Sequence, residues 1–364
     1  MKALKTKILT VRSWAERNER YLVPAFFIGG LIFDNLTLTR IDRVFDNVIL
    51  LGYLFIATAS IILINLFQVR NIENKWKSFL LLLTQFAFGG LFSGYVIFYT
   101  KSASLASSWI FLLVIYALFI GNERFRKYYN NFNFQIKVLF VAIFSYLIFF
   151  VPVVLKKIGS GIFLLSGVIS LIVIYALMFL FFKYISHLGL KREKKLTRDI
   201  FLIFLAFNLM YFTNVIPPVP LSLKQLEVYH YVEKTTDGNY LVREEKFNFL
   251  KDAYRDWKNE FNKMNNNSPV YVYASVFAPT DLNTEITHIW QRYDEKTEKW
   301  ITLNEVTYAI KGGRDRGYRG YTLMENAIDG KWRVYVKNSK GQVLGKIKFE
   351  VKKVDSVELV TKTI

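Results

Sequence analysis

Residues 200–220 read IFLIFLAFNLMYFTNVIPPVP and contain the boundary between two kinds of sequence. The apolar part is long enough to cross a bilayer as a helix, and the prolines that follow it cannot continue that helix. Upstream lie six further apolar runs of similar length, at 21–38, 48–67, 79–99, 104–120, 138–155 and 161–182. Only a helix or a closed barrel satisfies its own backbone in lipid, so these runs predict a polytopic α-helical membrane bundle of seven spans over residues 21–216. Buried helices of a soluble protein would carry a polar stripe, which most of these runs lack.

The basic charge of the chain is concentrated in the short loops between these runs. The 364 residues are 52% hydrophobic and carry a formal net charge of +19, which taken alone is compatible with nucleic-acid binding. Residues 1–216 account for +15 of it and residues 217–364 for only +4. The charge therefore indicates membrane orientation, and no nucleic-acid partner is expected. The absence of cysteine excludes disulfides, thiolate metal sites and cysteine nucleophiles.

Lysine and arginine alternate strongly from loop to loop. The N-terminal arm and the second, fourth and sixth loops hold 19 of them, whereas the other three short loops hold 5. Because cytoplasmic loops carry the excess, the N-terminus is expected in the cytoplasm. With an odd number of spans, residues 217–364 are expected in the periplasm or outside the cell. The expected localisation is the bacterial inner membrane. Residues 1–20 are a basic arm with helical amphipathic spacing, which would lie on the inner leaflet or remain a solvated tail.

The segment after the prolines predicts a small, mostly-β domain. Residues 217–227 are expected to form a proline-rich exit linker, and residues 228–268 a hairpin around Asp237 and Gly238 followed by one amphipathic helix that includes Phe261. From Val270 the apolar period changes to two, with further strand candidates at 286–293, 300–310, 318–323, 332–337 and 343–352. Several strands with one apolar face favour an immunoglobulin-like antiparallel sandwich over residues 269–364, although a barrel has a similar pattern.

Several runs of this domain resemble an uncharacterised family of bacterial membrane proteins whose C-terminal module is domain of unknown function 2914. The resemblance lies in the runs ITHIW at 286–290, GGR at 312–314 with YRGY at 318–321, GKWRVYV at 330–336 and GQVLG at 341–345. It covers the C-terminal hundred residues well and the membrane part loosely, at 33–38 and 217–224. It implies an envelope protein with an extracytoplasmic module, and it brings no catalytic residues.

The most distinctive candidate site in the soluble domain is the loop KGGRDRGYRG at 311–320. Its glycines expose backbone amides and its arginine forks match carboxylate or phosphate groups, so Arg314, Arg316, Tyr318 and Arg319 are candidate ligand-binding residues. The alternative is an ordinary hairpin loop in which Arg314 and Arg319 pair with nearby acids such as Asp315.

His288 and Trp290 share one strand face and form a second candidate ligand-binding pair, with ordinary sheet packing as the favoured alternative. Of the other two histidines, His187 falls in a predicted cytoplasmic loop, so a three-histidine metal site is excluded by topology. No catalytic motif is present, and neither a metal nor a cofactor is expected.

Within the membrane part the candidate polar residues are Asp34, Asn35 and Asn208. Asp34 would contribute to an ion path or, as the favoured alternative, pair with Arg40 or Arg43 at the interface. Asn65, Gln85, Asn208 and Asn214 are expected to bond between helices. The leading hypothesis is a non-catalytic binding or interaction module held at the membrane, with the bilayer and an anionic glycan, a lipid or another envelope protein as partners. The alternative is a transporter or channel component whose bundle carries the function.

Overall fold

The computed structural model describes residue 32 and residues 34–69, 75–102, 105–122, 124–184, 190–246, 260–264 and 268–364. The N-terminal arm at 1–20, most of the first expected span, His187 and nearly all of the expected amphipathic helix lie outside these ranges. The helices are α1 (Val44–Val69), α2 (Lys75–Ser102), α3 (Leu105–Gly121), a 3-10 helix (Arg124–Asn130), α4 (Phe132–Leu155), α5 (Ser160–Tyr184) and α6 (Leu190–Phe212).

Four of these helices are long and apolar enough to cross a membrane, and they lie where the sequence predicts spans. Their apolar segments are Val44–Gln68, Phe79–Ser102, Phe132–Leu155 and Ser160–Lys183, and α3 holds a shorter apolar segment, Ser108–Gly121. The chain is therefore a protein with a helical membrane region. The α6 helix differs from the expected span at 200–216, because it begins ten residues earlier in a basic segment and ends at Phe212, before the prolines.

Small and amide residues fix how the helices of the bundle approach each other. A Cβ on Gly90 would lie 2.5 Å from the Tyr53 ring, and one on Gly94 would lie 2.8 Å from the Leu50 side chain, so both glycines let α2 pack closely on α1. The amide of Asn65 donates to Gln135 across α1 and α4 at 2.7 Å. The interhelical role expected of Asn65 is confirmed.

The C-terminal region is mostly β. Its strands are β1 (Ser222–Tyr229), β2 (Tyr231–Lys234), β3 (Tyr240–Glu245), β4 (Glu260–Lys263), β5 (Val270–Phe277), β6 (Asn283–Asp294), β7 (Lys299–Lys311), β8 (Tyr318–Met324), β9 (Gly330–Asn338), β10 (Val343–Lys353) and β11 (Leu359–Thr363). The strands expected from alternation between 270 and 352 are confirmed.

These strands form three sheets, of which two share a core. The sheets have the orders β1-β5-β8, β4-β10-β9-β6-β7 and β11-β3-β2. Val272 from the first sheet and Trp290, Trp332 and Val334 from the second are all buried in one apolar cluster. In β9 the alternation of apolar residues turns every second side chain inward.

Two expected boundaries differ from the structure. Residues 222–227 lie in β1, which pairs antiparallel with β5, so the segment expected as a linker is half strand. Lys224, Gln225 and Glu227 interrupt the apolar pattern of this strand, so its signal in the sequence is weak, and pairing with β5 supplies what the pattern lacks. Phe261 lies in β4, paired parallel with β10, and is therefore not part of a helix. In the sequence Phe261 fits a helical period and a strand face equally well. Pairing with β10 decides in favour of the strand.

The β domain packs directly on the end of the bundle. Phe277 at the end of β5 is buried in the same apolar cluster as Ile216 and the helices. Lys156, after α4, forms an ion pair with Asp281 at 2.6 Å. Arg40, before α1, pairs with Asp315 of the 312–317 loop. Segments far apart in sequence thus hold the two parts of the chain together.

Candidate binding face on the five-stranded sheet

The structure gives Arg319 of the expected binding loop a structural role. Its guanidinium donates to the backbone carbonyls of Ile364 at 3.0 Å and Gly238 at 2.7 Å, and it lies over the ring of Tyr240 at 5.2 Å. The hydroxyl of Tyr240 donates in return to the carbonyl of Arg319 at 2.8 Å. Arg319 therefore ties the small third sheet to β8 through both of its terminal nitrogens.

The remaining residues of this loop face the bundle or the solvent. Asp315 pairs with Arg40 of the membrane region, not with Arg314 or Arg319 as expected for a simple hairpin loop. The Arg314 guanidinium lies over the Tyr318 ring at 4.8 Å, and the Arg316 side chain is exposed. The loop itself is tight, because the amide of Gly317 donates to the carbonyl of Arg314 at 2.9 Å. The candidate residues Arg314, Arg316 and Arg319 thus point to three different surroundings.

His288 and Trp290 lie in the core between the two sheets. Trp290 Nε1 donates to Thr322 Oγ1 at 2.9 Å, and the same oxygen lies 2.9 Å from His288 Nδ1. The other ring nitrogen of His288 lies 3.1 Å from the Tyr308 hydroxyl. Burial lowers the pKa of His288 to about 4, so the ring is neutral at physiological pH. With both ring nitrogens occupied, the pair fits the packing role that the sequence favours.

The polar candidates in the membrane part do not converge. Arg40 pairs with Asp42 and Asp315, and Arg43 donates to the Thr39 hydroxyl, so the expected pairing of Asp34 with Arg40 or Arg43 is replaced by these partners. Asn35 is exposed. The Asn208 side chain donates to the carbonyl of Phe204 in its own helix at 2.8 Å, so it makes a local bond where an interhelical one was expected.

A group of cations and aromatic rings does converge, on the outer face of the five-stranded sheet. Trp332, Val334 and Val336 of β9 point into the core, so the alternate residues of β9 point away from it. Cα pairing in register places Lys346 beside Tyr335 and Lys348 beside Arg333. We call this the basic face, formed by Lys331, Arg333, Lys337, Lys346 and Lys348 with the rings of Tyr293, Trp300 and Tyr335.

Arg333 is the fixed centre of the basic face. Its guanidinium carbon lies 4.1 Å from the centroid of the Trp300 ring and 5.1 Å from that of Tyr335. Its Nε donates to Gln291 Oε1 at 2.7 Å, and Gln291 donates on to Thr302 at 2.8 Å. Stacking and one hydrogen bond thus hold the side chain in place, and within the described residues its terminal nitrogens are available for a ligand.

The lysines around Arg333 also lie against aromatic rings. The ammonium nitrogens of Lys337 and Lys346 lie 5.6 and 5.8 Å from the Tyr335 centroid, and that of Lys331 lies 5.8 Å from the Tyr293 centroid. Tyr293 in turn contacts Trp300, with centroids 5.3 Å apart. In the part of the chain that the structure describes, the five cations of the basic face form no ion pair, and the nearby Glu350 pairs with Lys352.

The basic face has a signal in the sequence. Arg333, Tyr335 and Lys337 alternate with the apolar residues of β9, and Lys346 and Lys348 do the same in β10. Such alternation is also typical of an ordinary solvated side of a sheet. The distinguishing feature is that the outward residues of β9 and β10 are mostly cationic or aromatic, with Glu350 opposite Lys331 as the acid among them, which leaves an excess of positive charge that solvation alone does not require.

Comparison with known proteins gives one match to a family. No curated protein matches the chain. Among solved structures, the Pseudomonas fluorescens alkylpurine DNA glycosylase AlkC bound to DNA containing an abasic site analog aligns with 10% identity over 86% of this chain and 99% of that chain. The TM-score of 0.21 is too low to carry an argument about fold or function. The family described as "Protein of unknown function (DUF2914)" matches residues 283–351, from the start of β6 into β10. The C-terminal part of the chain, including the basic face, therefore contains a DUF2914 domain.

Proposed function

We propose that this protein is a seven-span inner-membrane protein that presents its β domain outside the cytoplasm as a non-catalytic binding module. The β domain is proposed to be an immunoglobulin-like sandwich, and its basic face to bind an extended anionic polymer of the envelope. The observation that carries this proposal is the convergence of five cations without carboxylate partners, within the described residues, on one sheet face. An anionic ligand would supply the counter-charges that these residues do not.

The geometry of the basic face suits a polymer better than a small molecule. Alternate residues along a strand are roughly 6.5 Å apart and neighbouring strands roughly 4.8 Å apart, so the cations form an open grid with two rows. Lys331, Arg333 and Lys337 form one row and Lys346 and Lys348 the other. A chain with regularly repeated carboxylate or phosphate groups can contact several of them at once, and the arginine fork is the best single anchor.

The contacts between the two parts of the chain support the proposed topology. The three short loops expected outside the cytoplasm hold Arg40, Lys101 and Lys156. Arg40 and Lys156 pair with Asp315 and Asp281 of the β domain, and Lys101 lies in a pocket with Lys224 of β1. All three loops thus lie at the same end of the bundle as the β domain, as alternate loops of a bundle with an odd number of spans would.

The binding proposal is tested with the purified full chain in detergent against chemically defined polymers. Alginate and polyphosphate serve as anionic probes and dextran as the neutral one. The variant R333Q/K346Q/K348Q is expected to lose most of its affinity for the anionic probes. A matched control, K234Q/K296Q/K299Q, removes the same charge from exposed lysines outside the face and should bind as the wild type does. The proposal is rejected if the two variants bind the anionic probes equally well. It is also rejected if the wild type binds dextran as tightly as it binds the anionic probes.

The topology is tested by cysteine labelling, because the chain has no cysteine of its own. Thr297, in the exposed turn between β6 and β7, and Lys194, exposed near the start of α6, are each replaced by cysteine. A membrane-impermeant maleimide applied to intact spheroplasts is expected to label T297C and to label K194C only after lysis. The reverse pattern would place the β domain in the cytoplasm and remove the envelope polymer as its ligand.

A transporter or channel remains the alternative function, but the described helices offer it less support. Rings such as Tyr95, Tyr99, Phe111 and Phe149 fill the space between α2, α3 and α4 with edge-to-face contacts. The hydroxyls of Tyr95 and Tyr99 donate to carbonyls of α4 at 2.8 and 2.7 Å. This part of the bundle is packed as a core and does not line a polar path.

A further inference from the structure

Three cations from distant parts of the chain meet where the β domain sits on the bundle. Arg40 comes from the loop before α1, Lys101 from the end of α2 and Lys224 from β1, and all three line one small pocket that is partly open to solvent. Phe277, Phe98 and Ile41 form its apolar walls. This site lies on the junction of the two parts and shares no residue with the basic face.

The ring of Phe277 organises two of the cations. The Arg40 guanidinium carbon lies 5.3 Å and the Lys224 ammonium nitrogen 5.4 Å from its centroid. Phe277 is 4% exposed, so both cations are held against a buried ring and have lost part of their hydration. The two cations repel each other, and because Arg40 already has Asp42 and Asp315 as partners, a further anion would be drawn chiefly to Lys224.

The carboxylates near the junction contact Arg40. Among the described residues, Lys101 and Lys224 form no ion pair. Asp42 and Asp315 both pair with Arg40, and Asp46 Oδ2 accepts the backbone amides of Thr39 and Arg40 at 3.0 Å each. Lys101 donates to the carbonyl of Leu38 at 3.0 Å, and Lys224 lies against the Phe277 ring. Burial and the charge of Arg40 lower the pKa of Lys224, which is the effect expected of an uncompensated cation.

We propose that the pocket formed by Arg40, Lys101, Lys224 and Phe277 binds a phosphate group at the junction of the bundle and the β domain. Lys101 and Lys224 supply the charge, and Ser222 and Arg40 line the same pocket. Lys101 is close to the end of a span-capable segment, Phe79–Ser102, so the pocket lies at the level of lipid headgroups in the proposed topology. Two sources of phosphate fit this chemistry, the headgroup of an anionic phospholipid and free phosphate.

The test uses the full chain and two probes. Thermal midpoints are measured in detergent with sodium phosphate against sodium chloride of equal ionic strength, and in nanodiscs of phosphatidylcholine with and without phosphatidylglycerol. Stabilisation of the wild type by phosphate in detergent supports a site for the free ion. Stabilisation only by phosphatidylglycerol supports a site for the lipid headgroup. A wild type that responds to neither probe overturns the proposal.

Variants assign the response to the pocket. K101Q/K224Q is expected to weaken binding by about fivefold for each lysine removed, whereas K101R/K224R retains it and K296Q in the exposed β6–β7 turn has no effect. Without either probe, K224Q should melt at or above the wild-type temperature, because it removes the repulsion between Lys224 and Arg40. A merely structural role of the lysines predicts a lower melting temperature instead. The same probe response in K101Q/K224Q and in the wild type also overturns the proposal.

Discussion

Arg40 and Asp315 are 275 residues apart in sequence and form an ion pair that joins the membrane region to the β domain. Arg40 also pairs with Asp42 at 2.8 Å, and Asp42 accepts the amide of Thr280 at 3.0 Å and its hydroxyl at 3.2 Å. A short loop before α1 therefore contacts two separate loops of the β domain. The two partners of Arg40 differ in exposure, because the Asp42 side chain is 4% exposed and that of Asp315 is 81% exposed.

This difference predicts unequal effects of removing the charges. R40A should destabilise the chain by about 1 to 3 kcal/mol, because it leaves the buried Asp42 carboxylate without its cation. D315A should cost no more than about 1 kcal/mol, as is usual for an exposed partner. Burial alone would raise the pKa of Asp42, and the hydrogen bonds from Arg40 and Thr280 outweigh it and keep that pKa below its ordinary value. Thermal unfolding in detergent compares the stability losses of the two variants. A loss in D315A as large as that in R40A would contradict this prediction.

The hydroxyl of Thr322 joins two buried polar rings, so its removal should be costly. T322V leaves Trp290 Nε1 and His288 Nδ1 without their shared partner, and each buried unsatisfied group costs about 1 to 3 kcal/mol. T322S keeps the oxygen and should cost much less. Unfolding followed by tryptophan fluorescence compares the two, and similar losses in both variants would mean that the methyl group, not the hydroxyl, carries the effect.

His288 predicts a pH dependence of stability. Its pKa is lowered by burial to about 4 in the folded chain, whereas an unfolded histidine has a pKa near its ordinary value of 6.5. Between these values the unfolded chain binds a proton that the folded chain does not, so stability falls as the pH drops from about 6.5 towards 4. The loss attributable to this one group is at most about 3 kcal/mol.

The measurement compares the wild type with H288Q from pH 7 to pH 4. H288Q should be less stable at pH 7, and the gap between the two proteins should shrink as the pH falls, since only the wild type carries this titration. A gap that stays constant over the range would mean that His288 is protonated without cost in the folded state, contrary to its burial.

Gly312 is required by close packing. A Cβ at this position would overlap the backbone carbonyl oxygen of Pro279, which cannot move as a side chain can. G312A should therefore displace the loop that carries Asp315 and lower the free energy of unfolding by about 3 kcal/mol or more, the upper end of the usual cost of overpacking. G341A is the control, because Gly341 has a positive φ of 75° but a Cβ there would have no atom within 4 Å, so only backbone strain applies. A smaller loss for G312A than for G341A in thermal unfolding would contradict this account.

The sequence predicts the parts of this molecule that depend on local pattern. The span-capable segments follow from run length, and β5 to β10 follow from alternation, as Val334 and Val336 illustrate in β9. Contacts between distant segments have no such local signal. The pairing of Arg40 with Asp315, the use of Arg319 by backbone carbonyls and the position of Phe261 in a parallel strand pair all depend on tertiary partners. The basic face is intermediate, because the alternation places its residues on one side of each strand, whereas only the strand order places Lys346 beside Tyr335 and Trp300 near Arg333.

The last prediction concerns geometry and charge at the centre of the basic face. R333K keeps the charge but cannot reproduce the contacts of the guanidinium with the Trp300 and Tyr335 rings or the Nε hydrogen bond to Gln291. It should weaken binding to alginate or polyphosphate by about fivefold, the equivalent of about 1 kcal/mol of stacking and hydrogen bonding. The control is K348R on the neighbouring strand, which replaces a lysine by an arginine. It keeps the charge and should bind at least as well as the wild type. Binding measured at two ionic strengths separates the contributions, because the charge contribution is screened by salt and the contribution of the stacked geometry is not. Equal affinities of R333K and the wild type at both ionic strengths would mean that the face binds by charge alone.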